Sequence, residues 1–147
     1  MIIPDINLLV YAYNADAPFH HEAKRWWENL LNNRFAPVGL PWAVSLGFIR
    51  VMTSPKILLS PLYPQEAIHY VQSWILRSNV EVLVAGERHL PILLDLTKEI
   101  GTAGPMTTDL HIAALAIEYQ AIVHSIDTDF SRFSGLRWIN PLGSRGA

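Results

Sequence analysis

Apolar positions along this chain fall into short runs and helical stripes that alternate with one another. The run that opens at Met1 is broken by a carboxylate, Asp5, and predicts a short buried strand. Asn7 to Tyr13 is apolar again and predicts a helix. Between His20 and Arg34, the residues Ala23, Trp26, Trp27, Leu30 and Leu31 recur at helical spacing and form one apolar stripe. Lys24, Arg25 and Glu28 fall on the other side of that helix. A short strand is predicted over Ala36 to Leu40, then a helix with Pro41 in its first turn, running through Met52 and ending near Ser54-Pro55. Ala67, Ile68, Val71, Trp74 and Ile75 make a second stripe within Gln65 to Arg77. Val80 to Val84 predicts a strand, and Leu90 to Ile100 a helix that stops at Gly101. Thr107 to Tyr119 predicts a helix with Thr107 or Thr108 as its N-cap. Ala121 to His124 is strand-like, Asp127 to Phe133 is a loop or short helix, and Leu136 to Ile139 is a last short strand.

Strands that alternate with helices predict an α/β fold, a parallel sheet covered on both faces. Ligands of such folds bind beyond the carboxyl ends of the strands. The length of 147 residues predicts one domain spanning the whole chain, 1–147. Only 16% of the residues are charged and mean hydropathy is +0.20, so an apolar surface patch is expected, to be met by a second copy or a protein partner. Absence of cysteine excludes disulfides and cysteine-ligated zinc or iron–sulfur sites. With no basic start to the N-terminal apolar run and no stretch long enough for a membrane span, a soluble cytoplasmic protein is expected. Net charge is −2 and no Lys/Arg run is present, so any grip on a polyanion must come from scattered arginines, metal ions or a groove between copies.

Four aspartates occupy the predicted ligand-binding edge. Asp5 ends the first strand, Asp109 opens the Thr107–Tyr119 helix, and Asp127 and Asp129 follow the Ala121–His124 strand. Taken singly, Asp109 suits a helix start, and Asp127 and Asp129 suit a turn. Asp5 is different, because a carboxylate within an apolar run is costly unless it is paired or bound to a cation. Four converging carboxylates repel one another, and divalent cations relieve this; all-oxygen donors select Mg²⁺ or Mn²⁺. Such a site suits hydrolysis of a phosphodiester. Asp16 in a Pro-containing loop and Asp95 in mid-helix are expected to be surface residues.

Four segments carry a family resemblance. Asp5-Ile6-Asn7-Leu8-Leu9 resembles the Asp-x-Asn opening of PIN-domain proteins of the VapC toxin type. Asp109-Leu110-His111-Ile112-Ala113-Ala114-Leu115-Ala116 is similar to their Asp-x-x-Ile-Ala-Ala helix. Ser125-Ile126-Asp127-Thr128-Asp129-Phe130 resembles their late Ser/Thr-x-Asp-x-Asp-Phe motif, and Phe133 to Pro141 resembles their tails. The resemblance implies a PIN-like three-layer α/β/α sandwich. It implies Asp5, Asp109 and Asp127 as catalytic metal ligands, with Asp129 beside them or bound through water. It further implies Mg²⁺- or Mn²⁺-dependent endoribonuclease activity, a VapB-type antitoxin that blocks the site, and a homodimer.

One departure stands out. VapC proteins often carry a glutamate in the helix resembling Leu46-Gly47-Phe48-Ile49-Arg50, and here that place is Gly47, with no acid from Ala36 through Leu62. Loss of that carboxylate would weaken a second metal site, so activity that is retained but demanding of metal is expected. The glycine costs the helix about 1 kcal/mol relative to alanine, which points to close approach of another backbone. Arg132 and Arg50 are candidates for phosphate contact, Ser125 for orienting the Asp127 loop, and Thr107 and Thr108 for positioning Asp109. His20 and His21 read as capping or surface residues. The Trp26–Trp27 pair reads as core or subunit contact rather than a base-stacking platform.

A catalytically weak PIN module that binds RNA or a protein is the alternative, with Gly47 its main support. A phosphotransfer enzyme is a third class. A dehalogenase-type phosphatase would want an acid where Asn7 stands, and a receiver would want a late lysine beyond Lys98.

Overall fold

A computed structural model describes residues 1–101 and 104–143. Five short strands form one parallel sheet: β1 (Ile2–Pro4), β2 (Val38–Pro41), β3 (Val80–Leu83), β4 (Ile122–His124) and β5 (Arg137–Ile139). Six helices connect them: α1 (Ile6–Tyr13), α2 (His20–Asn32), α3 (Trp42–Met52), α4 (Pro64–Ile75), α5 (His89–Ile100) and α6 (Thr107–Glu118). The sheet order is β3-β2-β1-β4-β5. The chain therefore starts in the middle, builds outward through β2 and β3, and then crosses back to lay β4 on the other side of β1. Right-handed crossovers place α1 to α4 on one face of the sheet and α5 and α6 on the other. The helix contacts agree, since α1 packs on α2 and α3, α3 on α4, and α5 on α6. The predicted three-layer α/β/α architecture is the one observed.

Two prolines mark where the central strands stop. Pro4 pairs with His124, and Pro41 pairs with Leu83. Proline has no N–H to continue a ladder, so the chain is released at this edge and turns into α1 at Asp5 and α3 at Trp42. Pro41 was expected in the first turn of the helix; with φ −70° and ψ 148° it is instead the last strand residue and the cap before the helix. At the predicted N-cap of α6, Met106 occupies the cap position with no side-chain hydrogen bond. The Thr107 hydroxyl turns back to donate to the Gly104 carbonyl at 2.7 Å, and a short 3-10 turn over Gly104–Met106 does the work assigned to a threonine cap. Gly101 ends α5 in the left-handed region (φ 70°), as its position predicts.

The core is continuous from the sheet to both helical layers. Ile3, Val38, Leu40 and Val123 fill the sheet, Trp27, Phe48 and Trp74 one layer, and Leu110, Ile112 and Leu115 the other. Trp27 is thus core, as its stripe predicts, while Trp26 is half-buried and donates its indole N–H to His124 Nδ1 at 3.0 Å. Burial pushes the His124 imidazole down to about 4, so it stays neutral and accepts that bond. His20 lies at the start of α2 with Nδ1 2.8 Å from the Tyr11 carbonyl, and His21, Asp16 and Asp95 are exposed. Among the described residues no helix is long and apolar enough to cross a membrane.

Candidate active site

The order of the sheet reverses between β1 and β4, and the crevice beyond their carboxyl ends is where such folds bind ligands. Asp5 follows β1 directly, and its N–H donates to the His124 carbonyl at 2.9 Å, which ties the two strand ends together. Its side chain caps α1: Oδ1 accepts from the Ile6 N–H at 2.7 Å. Oδ2 accepts from the Ser125 hydroxyl at 2.6 Å. That hydroxyl in turn accepts from the Asp127 N–H at 2.9 Å and from the Asn7 amide at 3.2 Å. Ser125 is fully buried and is the hub joining Asp5, Asn7 and Asp127. Asp127 Oδ1 accepts from the Asp129 N–H at 2.9 Å, which starts a 3-10 turn over Thr128–Arg132.

Asp109 arrives from the opposite side of the crevice. The helix α6 ends just before β4 begins, so its first turn lies level with the carboxyl ends of the strands. The Asp109 carboxyl is pushed up to about 6, first by burial and then by the charges of Asp5, Asp127 and Asp129. Asp5 is also raised, chiefly by burial and further by Asp127, although its two hydrogen bonds pull the other way. The four aspartates singled out in the sequence are therefore gathered within one another's electrostatic reach. They are gathered without being pinched, since among the described residues no three acidic, histidine or cysteine side chains stand as a ready-made metal cage.

The donor set nevertheless has the chemistry for a hard divalent cation. It is all oxygen, it is anionic, and its members raise one another's affinity for positive charge. A further observation agrees: the Asn7 amide oxygen is buried beside this cluster with no partner among the described residues. The Ser125 proton is already given to Asp5, so flipping the amide would only bring two acceptors together. Asn7 sits in the recognised motif but carried no role in the sequence reading; its spacing of two from Asp5 was the available signal.

The two arginines lie in different parts of the fold. Arg132 Nη1 is 3.4 Å from the sulfur of Met106, the residue that precedes α6. Arg50 is exposed in the last turn of α3, about 12 Å along the helix axis from Trp42, and is not brought to the carboxylates. Gly47 is buried, and what fills its place is a side chain rather than the expected backbone. A Cβ built there would lie 2.3 Å from Ile6 Cδ1. Ile6, next to Asp5, occupies the space in which an acidic side chain at position 47 would start.

A five-stranded parallel sheet with acidic residues lining its central switch point defines the PIN class of α/β protein. The PIN-domain family signature matches residues 2–136. Ribonuclease VapC33 of Mycobacterium tuberculosis is 47% identical over 142 residues, which cover 97% of this chain and 99% of that protein. Ribonuclease VapC37 of the same organism is 35% identical over 141 residues, covering 96% of this chain and 97% of the relative. The chain belongs to the PIN-domain family and, within it, to the VapC ribonucleases. Among solved structures, VapBC2 from Rickettsia felis, bound to a DNA fragment from their promoter, shares the fold with a TM-score of 0.69 at 21% identity, over 95% of this chain and 98% of that one. VapC20 of Mycobacterium tuberculosis, described as a sarcin-ricin loop cleaving toxin, does so with a TM-score of 0.66 at 18% identity, over 93% and 99%.

Proposed function

We propose that this protein is a metal-dependent endoribonuclease that serves as the toxin of a toxin–antitoxin pair and cuts RNA at the edge formed by Asp5, Asp109, Asp127 and Asp129. The observation that carries this reading is the gathering of four carboxylates from three distant segments, with Asp109 pushed up to about 6 by burial and by the other three. Asp5, Asp109 and Asp127 would hold the cation, with Asp129 beside them. Hard oxygen donors favour Mg²⁺ or Mn²⁺. The cation supplies positive charge against the phosphate and makes water a competent nucleophile.

The protein's own groups prepare that chemistry. Ser125 ties the Asp5 carboxylate to the backbone of Asp127 through its single hydroxyl, which donates to the one and accepts from the N–H of the other. Asn7 holds Ser125 and leaves its amide oxygen free at the cluster. In the absence of a cation the Asp109 carboxyl is half-protonated at about pH 6, and its negative charge builds up as pH rises through that value. Arg132, at the end of the 3-10 turn that follows Asp127, is the candidate to meet an RNA phosphate, and Arg50, in the last turn of α3, a more distant one. A VapB-type antitoxin would cover this edge, and the exposed Leu90 and Leu94 of α5 favour a homodimer. The RNA it would cut places its action in the cytoplasm.

Ile6 in the place of an acid at position 47 favours a second reading, a weakly catalytic module that binds RNA or protein. Inducible expression of wild type and Asp109→Ala in a bacterial host, followed by sequencing of RNA 5′ ends, separates the two. Discrete new ends and growth arrest with wild type alone are expected. Identical profiles from the two proteins would leave the binding module standing.

A further inference from the structure

The carboxylates gather at one end of α1. The helix carries the chain about 12 Å away from Asp5, and at its other end lies a cavity of about 380 Å³. It is walled by Ala12 and Tyr13 of α1, by Lys24, Trp27 and Glu28 of α2, and by Tyr70 of α4. The rings of Tyr13 and Tyr70 lie 4.6 Å apart. No residue of the carboxylate cluster lines the cavity. The helices α1, α2 and α4 cover the sheet face opposite α5, so the cavity is also away from the exposed Leu90 and Leu94 assigned to the contact between copies.

Hydrogen bonding around this cavity is incomplete for donors and acceptors alike. Trp27 is 1% exposed, yet its indole N–H, which faces the Tyr13 hydroxyl, reaches no hydrogen-bond partner among the described residues. The Tyr13 oxygen already accepts from Trp74 at 2.8 Å, and its own proton has no acceptor among the described residues. Burial raises that phenol, and the charge of Glu28 adds to the rise, so the proton stays in place. Buried donors in this state cost stability, so the corner favours an acceptor oxygen. Lone pairs line the cavity too. His20 Nδ1 lies 2.8 Å from the Tyr11 carbonyl, which can only accept, so Nδ1 carries the proton and Nε2 of the neutral ring keeps a lone pair. His20, Lys24 and Glu28 recur at four-residue spacing and share one face of α2. Neither Lys24 nor Glu28 is in an ion pair among the described residues.

We propose that this cavity binds a small zwitterion of the free amino-acid class. The carboxylate of the ligand accepts from the Tyr13 hydroxyl and is met by the Lys24 ammonium. Its own ammonium is met by the Glu28 carboxylate and the His20 lone pair. The rings of Tyr13, Trp27 and Tyr70 enclose the remainder. Side chains four apart on a helix start about 5–6 Å from one another, a spacing that lets Lys24 and Glu28 reach one ligand together. A cavity with one charge of each sign suits a ligand of the same make-up and no net charge. A phosphate or a simple organic cation would leave one of the two charges facing its like. The inference stands apart from the ribonuclease reading.

Calorimetric titration of the metal-free protein with each of the standard amino acids tests this without RNA. Saturable binding of at least one, with a micromolar to millimolar Kd, is expected. For the one that binds, blocking its carboxylate as the amide, or its ammonium by acetylation, is expected to weaken binding about tenfold or more. Glu28→Gln should weaken the parent compound by a similar factor and leave the acetylated form unchanged. Lys24→Met should do the same for the parent and the amide. Both positions are exposed, so neither change threatens the fold. Ala15→Leu, which narrows the cavity from the exposed loop between α1 and α2, should abolish binding. A wild type that binds none of the amino acids at millimolar concentration overturns the proposal. So does binding that all three variants leave intact, which would place it elsewhere on the molecule. Equal binding of the parent and its two blocked forms would overturn it as well, because the charges would then play no part.

Discussion

The two ends of α1 are built to opposite rules. At its start, Asp5 caps the helix while sharing a crevice with three other carboxylates, and its burial raises its pKa. At its end, Tyr13 enters a nest of rings in which every contact is favourable. Its ring lies 5.5 Å from those of Phe48 and Trp74 and 4.6 Å from that of Tyr70, and its hydroxyl oxygen accepts the Trp74 indole N–H at 2.8 Å. Aromatic pairs at these separations stabilise beyond the area they bury. One helix thus joins a region that holds the molecule together to a region that its neighbours have to hold in place. Eight residues suffice for both because strand pairing fixes the first end and ring packing the second.

The comparison predicts opposite responses to substitution. Asp109→Asn is expected to lower RNA cleavage by about a thousandfold or more, since it removes charge where the reaction needs it. The same change should stabilise the metal-free fold. The folded Asp109 carboxyl, at about 6, holds its proton more tightly than the ordinary value of 3.8. Its contribution to stability therefore falls as pH rises from about 4 to about 6 and stays low above that. In EDTA, wild type should lose melting temperature across this window more steeply than the Asn variant. A variant that melts below wild type at pH 7 would break the comparison.

Trp74→Ala acts at the other end. The ring is fully buried, and its loss leaves a cavity and takes the indole N–H away from the Tyr13 hydroxyl. A destabilisation of about 3–5 kcal/mol is expected in urea titration. A loss under about 1 kcal/mol would mean that the nest collapses around the gap and does not anchor α1.

The smallest effect is expected where the two regions meet, at Gly47. Alanine there gains about 1 kcal/mol of helix propensity but drives its Cβ to 2.3 Å from Ile6 Cδ1. Gly47→Ala should cost about 1–2 kcal/mol net, from overpacking that exceeds the gain. Ile6→Val removes the offending Cδ1, so the double variant should recover most of the loss. Additive effects of the two changes would show that Ile6 is not what keeps position 47 a glycine.

Much of this was legible along the chain. The helical stripes located α2 and α4 within a few residues, and the acids at element ends pointed to the crevice that the sheet order creates. The sequence-based helix starts and ends were less exact. Pro41 reads as a helix opener, yet its extended ψ makes it a strand end, because its partner Leu83 holds it in the sheet. Arg50 and Arg132 look alike as isolated cations near motifs, and only the path of α3 away from the edge tells them apart.

Local periodicity and residue chemistry by themselves determined the α/β class, the positions of the core stripes and the identity of the four carboxylates, because these depend on spacing and on side-chain type. Tertiary structure alone decided that Ser125 is the hub of the cluster, that Ile6 fills the space at Gly47, and that His89 pairs with His111 across two helices. Each of these joins segments through a contact of a few ångströms. Such contacts are set by how the helices pack on the sheet, to which no local pattern is sensitive.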